Sequence, residues 1–340
     1  MTFASSPLYQ ELCSVVADDD YLLGLASRCR PGQRPPNMLF AAIHSLVKQE
    51  PSVELAHWYA SVVGLEAVRD PTRVAPAFVD FCQVHEEEIT NLLRTRLVQT
   101  NVVKRAAALR FGLSRIALQT RGPVALVELG CSAGALLSQD RYRYRAGRRE
   151  RGSLDSLVTI DFEWRSGMPL PDLDLVPSVG RRVGIDLYAI DPADPEDRAW
   201  MHALVWPENL QEAHLLDLAL QVVAADPPWR LDGDARNLVD AAINELPVGM
   251  PVVIFHAATR AHVASADRAA FDAAIDRVGE TRDLFHLSLE GTAEECFARQ
   301  YRGSFLLRLE VSAPGRLPKR EDLAIVDQHG EWIRPLNGTR

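Results

Sequence analysis

VALVELGCSAGALL, residues 124–137, is the stretch whose reading decides the fold. An apolar run reaches an acid, Glu128, breaks into a turn of small residues and becomes apolar again, the pattern of a buried strand leading into a loop. Two chemistries fit the turn. Gly130-x-Ser132-x-Gly134 supplies the small residues on either side of a serine that a hydrolase nucleophile elbow needs, and Asp226 or Asp234 followed by His256 gives a permissible triad order. Glu128-x-Gly130-x-x-x-Gly134 reads instead as a cofactor loop. There the glycines let the backbone approach a ligand, and the next helix offers its N–H groups.

The surroundings favour the cofactor loop. A hydrolase builds several strands before its elbow, one of them carrying the oxyanion-hole loop, whereas residues 7–119 have helical spacing and no HGG-like stretch. Phe78, Phe81, Cys82, His85, Ile89, Leu92, Leu93 and Leu97 share one helical face, and PGQRPPN (31–37) and RDPTRVAP (69–76) supply breaks. After residue 123 the pattern becomes short β-type runs separated by helical ones. The runs are 124–129, 182–187, 229–234, 251–256, 284–291, 304–311 and 322–327. Apolar character on both faces of such runs predicts a mostly parallel sheet covered on both sides, with the last two pairing antiparallel at an edge. RYRYRAGRRERGSLDSLVTIDF (141–162) reads as a β-hairpin insertion, its arginines facing acidic neighbours rather than phosphate.

Acids at strand ends extend the cofactor reading. Asp186 closes the second run, where an ionised carboxylate can accept from both ribose hydroxyls. It lies 58 positions after Glu128 (186 minus 128), more than the ~20 of a dinucleotide fingerprint, and the hairpin accounts for the excess. Asp234, in GDA at 233–235, is placed to accept from an adenine amino group. The plain alternative for both is helix N-capping. His256 ends the fourth run and is either a base facing the crevice or a satisfied core histidine. Gln99, Thr100 and Asn101 end a long helix and offer amide and hydroxyl donors over the crevice, or simple caps. Tyr142, Tyr144, Trp164, Tyr188 and Trp206 are candidate neighbours of a sulfonium, or core. DPPW (226–229) mimics the signature of amino-methylating enzymes, yet follows a helix-like run, where Pro-Pro acts as a stop.

Composition narrows the partners. With 340 residues, 47% hydrophobic and 24% charged, the chain is long enough for two domains with substantial cores. A net charge of -9 argues against phosphate-backbone binding, so a small-molecule substrate rather than nucleic acid is expected. Cys13, Cys29, Cys82, Cys131 and Cys296 are odd in number and scattered, which predicts neither disulfides nor a zinc ribbon and fits a cytoplasmic setting. No membrane segment or leader is read, and His262 and HEEE (85–88) do not make a converging metal set.

The glycine loop, the acids after strands two and three and the antiparallel close resemble a class I S-adenosylmethionine (SAM)-dependent methyltransferase, although that superfamily usually has Gly where Ser132 stands. More narrowly, SPLYQEL, LVQTNVVKRAAAL, LVELGCSAGALLSQDRYRY, RVGIDLYAIDPADPEDRAWMHALVWPE, GDA and HGEW resemble the bacterial domain-of-unknown-function 2332 family. The resemblance implies an α/β fold: a Rossmann-like, seven-stranded, mostly parallel sheet over 120–340, with the hairpin at about 141–180, and an all-α cap over 1–119. It also implies SAM as cosubstrate. Gly130, Ser132 and Gly134 would receive its amino-acid end, Asp186 the ribose and Asp234 the adenine, with Glu128 bracing the loop or the amine and Gln99 assisting. His256, Tyr142 and Asn101 are the candidate catalytic groups. Azetidine synthases, which cyclise SAM to azetidine-2-carboxylic acid and methylthioadenosine on a methyltransferase-like scaffold, are a third resemblance; a non-catalytic SAM-binding protein is the remaining alternative.

Overall fold

The structure is a computed structural model that describes residues 6–291, 301 and 303–336; Cys296 lies outside the described residues. The chain divides into two compact units, Met1–Asn101 with Asp191–Leu216, and Val102–Ile190 with Asp217–Arg340.

The first unit contains α1 (Pro7–Ala17), α2 (Asp20–Ala26), α3 (Pro35–Gln49), α4 (Ala60–Val63), α5 (Ala75–Val84) and α6 (Glu86–Thr95). Ser6 and Asp19 cap α1 and α2 by accepting from Tyr9 N and Leu22 N. The long helix predicted through residue 97 is two helices broken at His85, because Glu86, Glu87 and Glu88 fill a first turn, where acids favour a helix N-terminus. Gln99–Asn101 therefore follow an irregular segment that begins at Arg96, not a helix end. α7 (Ala106–Ala117) opens the second unit, while α8 (Pro195–Ala203), capped by Asp194, belongs to the first. His44 of α3 is a satisfied core histidine: Nδ1 donates to the Ala203 carbonyl at 3.0 Å, Nε2 accepts from the Ser61 hydroxyl at 2.7 Å, and burial pushes its pKa down to about 3.

The second unit is built on a sheet of nine strands, two more than the seven predicted. In chain order the strands are β1 (Val124–Leu129), β2 (Arg143–Ala146), β3 (Arg149–Gly152), β4 (Thr159–Asp161), β5 (Glu163–Trp164), β6 (Val179–Asp186), β7 (Trp229–Asp232), β8 (Val252–Ala257), β9 (Leu284–Gly291), β10 (Ser304–Ser312), β11 (Lys319–Asp327) and β12 (Trp332–Pro335). The seven predicted runs are β1 and β6 to β11. The additions, β5 and β12, are too short to carry a period-2 signal, and they remove the antiparallel β10–β11 pair from the edge. The order is β5-β12-β11-β10-β9-β8-β1-β6-β7, with β7, β6, β1, β8 and β9 mutually parallel. The chain steps outward from β1 to β6 to β7, then returns past β1 to β8. The order thus reverses between β1 and β8, the place where open α/β sheets leave a crevice.

Helices cover both faces. Val127, Leu129, Ile185, Ile254 and Leu284 share a core with Val239, Ile243, Phe271 and Ile275 from α10 (Ala235–Asn244) and α11 (Arg268–Thr281). These follow α9 (Leu210–Ala225), which ends just before Asp226-Pro227-Pro228, so Pro-Pro is a helix stop before β7. On the other face Gly112 of α7 approaches Leu287 of β9 so closely that a Cβ would lie 2.7 Å from Leu287 Cδ2.

The helix predicted to follow the glycine turn is absent. A 3-10 segment, Leu136–Arg141, leads into the three-stranded β3-β2-β4 sheet instead. The Ala135 carbonyl, which a continuing α-helix would give to residue 139, accepts from Ser138 N at 3.3 Å and the Tyr142 hydroxyl at 2.6 Å. In this small sheet Arg145 pairs with Asp161, and Arg151 lies near Asp172 and Asp174. No helix among the described residues is long and apolar enough to cross a membrane.

Candidate functional site

The tips of β1, β6 and β7 are bound to one another. Gly130, Ser132 and Gly134 all have left-handed φ, 77°, 50° and 81°. Gly130 N donates to the Ile185 carbonyl at 2.8 Å, and Ser132 N donates to Asp186 Oδ2 at 2.7 Å. The strained Ser132, where a glycine would be unstrained, is thus held by a charged acceptor. Tyr188 N donates to Asp186 Oδ1 at 3.2 Å, Ala189 N to Asp232 Oδ1 at 2.6 Å, and Gly233 N to the Asp186 carbonyl at 2.7 Å. Leu187 and Tyr188, directly after Asp186, are exposed.

Glu128 stands beneath this turn on the face covered by α7 and the 3-10 segment, opposite Val127 and Leu129. It is 2% exposed, receives the Leu137 N–H, and its Oε2 has no hydrogen-bond partner among the described residues. Burial, and then the neighbouring Asp186, push its pKa well above the usual carboxyl range, so the proton stays on. Tyr142 is buried at the other end of the turn, where its hydroxyl donates to Ala135 O and burial raises its pKa. It acts there as a brace.

Asp234 caps α10, accepting from Arg236 N at 2.9 Å, and forms a two-pronged pair with the Arg236 guanidinium, which lowers its pKa. The carboxylate that reaches across at the β7 tip is that of Asp232, two residues earlier.

His256 lies on the opposite face from Glu128, stacked edge-on against Phe271 of α11. It is 1% exposed and both ring nitrogens are engaged: Nδ1 with Glu290 Oε1 at 2.6 Å and Nε2 with His286 Nε2 at 3.0 Å. The histidine of the triad order is thus engaged with Glu290 and His286. Beyond it the β8 tip turns sharply, with Ala258 at φ 61° and the Thr259 side chain against Gly130.

Gln99 and Asn101 close the first stretch of the helical unit, and Asn101 Nδ2 donates to the Gln99 carbonyl at 3.2 Å. Among the aromatic candidates Tyr144 is buried beside Arg110, Trp164 sits in β5, and Tyr188 is exposed just after β6. Residues that sequence reasoning passed over are Asp232, Thr259, Glu290 and His286. Glu290 carried the same signal as Glu128, an acid closing an apolar run before glycine. Two segments singled out by sequence also meet. Lys104 pairs with Glu331 at 2.7 Å, Arg105 Nε donates to the Gln328 carbonyl at 3.0 Å, and Gly330 (φ 82°) leaves no room for a Cβ against Lys104.

The chain thus combines a mixed α/β unit, built on a large, mostly parallel sheet with a left-handed glycine turn after β1, and a helical unit. Residues 2–334 match the family model described as "Uncharacterized protein conserved in bacteria (DUF2332)", and the chain belongs to that family. No curated protein matches the chain.

Proposed function

We propose that the chain binds SAM at the tips of β1, β6 and β7 and transfers its methyl group to a small-molecule acceptor by displacement at the sulfonium. The observation that carries this reading is Glu128, a fully buried carboxyl with an unpartnered oxygen beside a second carboxylate. A cation brought to that oxygen offsets two acids at once, and an α-ammonium group supplies both charge and hydrogen-bond donors. Asp186, at the β6 tip, receives the ribose hydroxyls while holding the glycine turn, and exposed Leu187 and Tyr188 give the adenosyl group apolar surface. Asp234 is committed to Arg236, so the adenine amino group falls to the β7 tip around Asp232. SAM, when bound, supplies a methyl carbon activated by a sulfonium. The protein's part is alignment and exclusion of water, with Tyr142 and the left-handed turn fixing the pocket floor.

The same carboxyl favours a second reading, cyclisation to azetidine-2-carboxylic acid with release of methylthioadenosine. Once binding has released the Glu128 proton to solvent, the carboxylate, whose burial raises its proton affinity, can take a proton from the ligand's ammonium, leaving the neutral amine that ring closure needs. Calorimetry with SAM followed by mass spectrometry of the products tests both. S-adenosylhomocysteine formed only with an acceptor supports methyl transfer, and methylthioadenosine formed from SAM alone supports cyclisation. Binding without turnover leaves a non-catalytic SAM-binding protein, and no binding overturns the reading.

A further inference from the structure

We propose that Glu290 is a positioning residue for the crevice: one carboxylate oxygen sets the conformation of the β8 tip and, through Thr259, holds the glycine turn after β1 in place. The ligand-binding consequence rests on the reading of the crevice as a SAM site.

Glu290 Oε1 accepts three hydrogen bonds, from His256 Nδ1 at 2.6 Å and from the backbone N–H groups of Thr259 and Arg260, both at 3.0 Å. Burial alone would raise its pKa, but the bond and charge of His256 and the two backbone donors bring it below the usual value, so it is a carboxylate at neutral pH. A carboxylate only accepts, so His256 Nδ1 carries the hydrogen. The same ring's Nε2 meets His286 Nε2 at 3.0 Å, and burial pushes the His286 pKa down. Every donor around the oxygen is thereby fixed in direction.

The bonds flank Ala258, a non-glycine residue at φ 61°, a conformation that costs on the order of 1–3 kcal/mol and persists only where its surroundings over-determine it. The next side chain, Thr259, abuts Gly130: a Cβ on Gly130 would lie 2.5 Å from Thr259 Cγ2 and 3.0 Å from its Cβ. Gly130 follows β1 and Thr259 follows β8, the strands flanking the reversal of strand order. Glu290 therefore locks two strand tips together at the place where a ligand would enter. Arg105, buried on the segment before α7, sets a positive charge near this carboxylate.

The test follows hydrogen exchange of the full chain in peptides covering 129–137 and 254–262, with SAM affinity by calorimetry, for wild type, Thr259→Ala, Glu290→Gln and the double variant. Each single change is expected to speed exchange at 129–137 and to weaken affinity roughly tenfold or more. The double variant is expected to be no worse than Glu290→Gln alone, because both act through one contact. A Glu290 that merely stabilised its own strand would loosen 254–262, leave 129–137 protected and add to Thr259→Ala, and that result overturns the proposal. Should Glu290→Gln fail to fold, Thr259→Ala decides alone, and unchanged exchange at 129–137 refutes the coupling. If wild type binds no SAM but the exchange coupling is intact, the cofactor reading fails while the positioning role stands.

Discussion

Replacing Glu128 with glutamine separates what the folded chain pays to bury an acid from what a ligand gains by meeting it. In the folded state burial and Asp186 keep the proton on Glu128, whereas the unfolded chain releases it near pH ~4.3. The raised folded value fixes the sign: the group's contribution to stability is complete below the unfolded pKa and is lost as pH rises, by ~1.4 kcal/mol per unit for as long as the folded carboxyl stays protonated. Glutamine keeps an acceptor for the Leu137 N–H and cannot ionise. Wild type should thus lose stability relative to Glu128→Gln as pH rises above the unfolded carboxyl's pKa. Urea unfolding at stepped pH measures this directly, since other titrating groups cancel in the difference. Parallel stability-against-pH curves would refute the protonated, buried acid. On the ligand side, an ammonium group at Oε2 should expel the proton. Calorimetry in two buffers of different ionisation enthalpy should then detect proton release on SAM binding by wild type and none with the variant. Equal affinity of the two proteins would remove Glu128 from the amine site.

Three further outcomes follow from the geometry. Gly130→Ala places a Cβ at φ 77° against Thr259 and should cost about 2–4 kcal/mol in urea unfolding, with Thr259→Gly restoring part of the loss; wild-type stability would show that the two tips are not interlocked. Asp186→Ala removes the acceptor for Ser132 N and Tyr188 N and, being partly exposed, should lower stability by about 2 kcal/mol, with Asp186→Asn losing about half as much; a neutral effect of the alanine change would mean the turn is held without it. Gly330→Ala forces a side chain into the Lys104 backbone at φ 82° and should lower the melting temperature by roughly 4–8 °C, a shift absent if the turn gives way freely.

The parts of the fold that sequence made legible are those with a strong local period. β1 and β6 to β11 stand out because buried strands are apolar on both faces, and glycine positions at 130 and 134 announce a turn that needs left-handed backbone. β5 and β12, with two and four residues, leave no such trace. The missing helix after β1 was hidden because Ala135, Leu136 and Leu137 are as good in a helix as in the 3-10 turn; tertiary bonds from Tyr142 and Tyr144 decide between them. The break at His85 was readable in principle, since three successive acids mark a helix start more than a helix middle. Glu128 and Asp186 are legible as acids that close strands, and the structure places them at the ends of β1 and β6. Asp234 was read in place of Asp232 because the two acids flank one glycine, and only the hydrogen bond to Ala189 N tells them apart.

His256 shows what residue spacing can and cannot say. Its parity with Val252 and Ile254 assigns the three to one face of β8, but spacing does not reveal which face meets the crevice. The fold puts that face under α11, with Glu128 on the other side of the sheet. An acid and a histidine nominated for one active centre are therefore divided by the strand layer itself, and direct proton exchange between them is ruled out by the geometry. Their effects can meet only where the strands end, at the Gly130–Thr259 contact, which Glu128 approaches along β1 and His256 reaches through Glu290 and the β8 loop. A role for the histidine in catalysis must accordingly be expressed as loop position. Substituting it should alter ligand affinity and turn protection together, without adding or removing a titrating group at the reacting atoms.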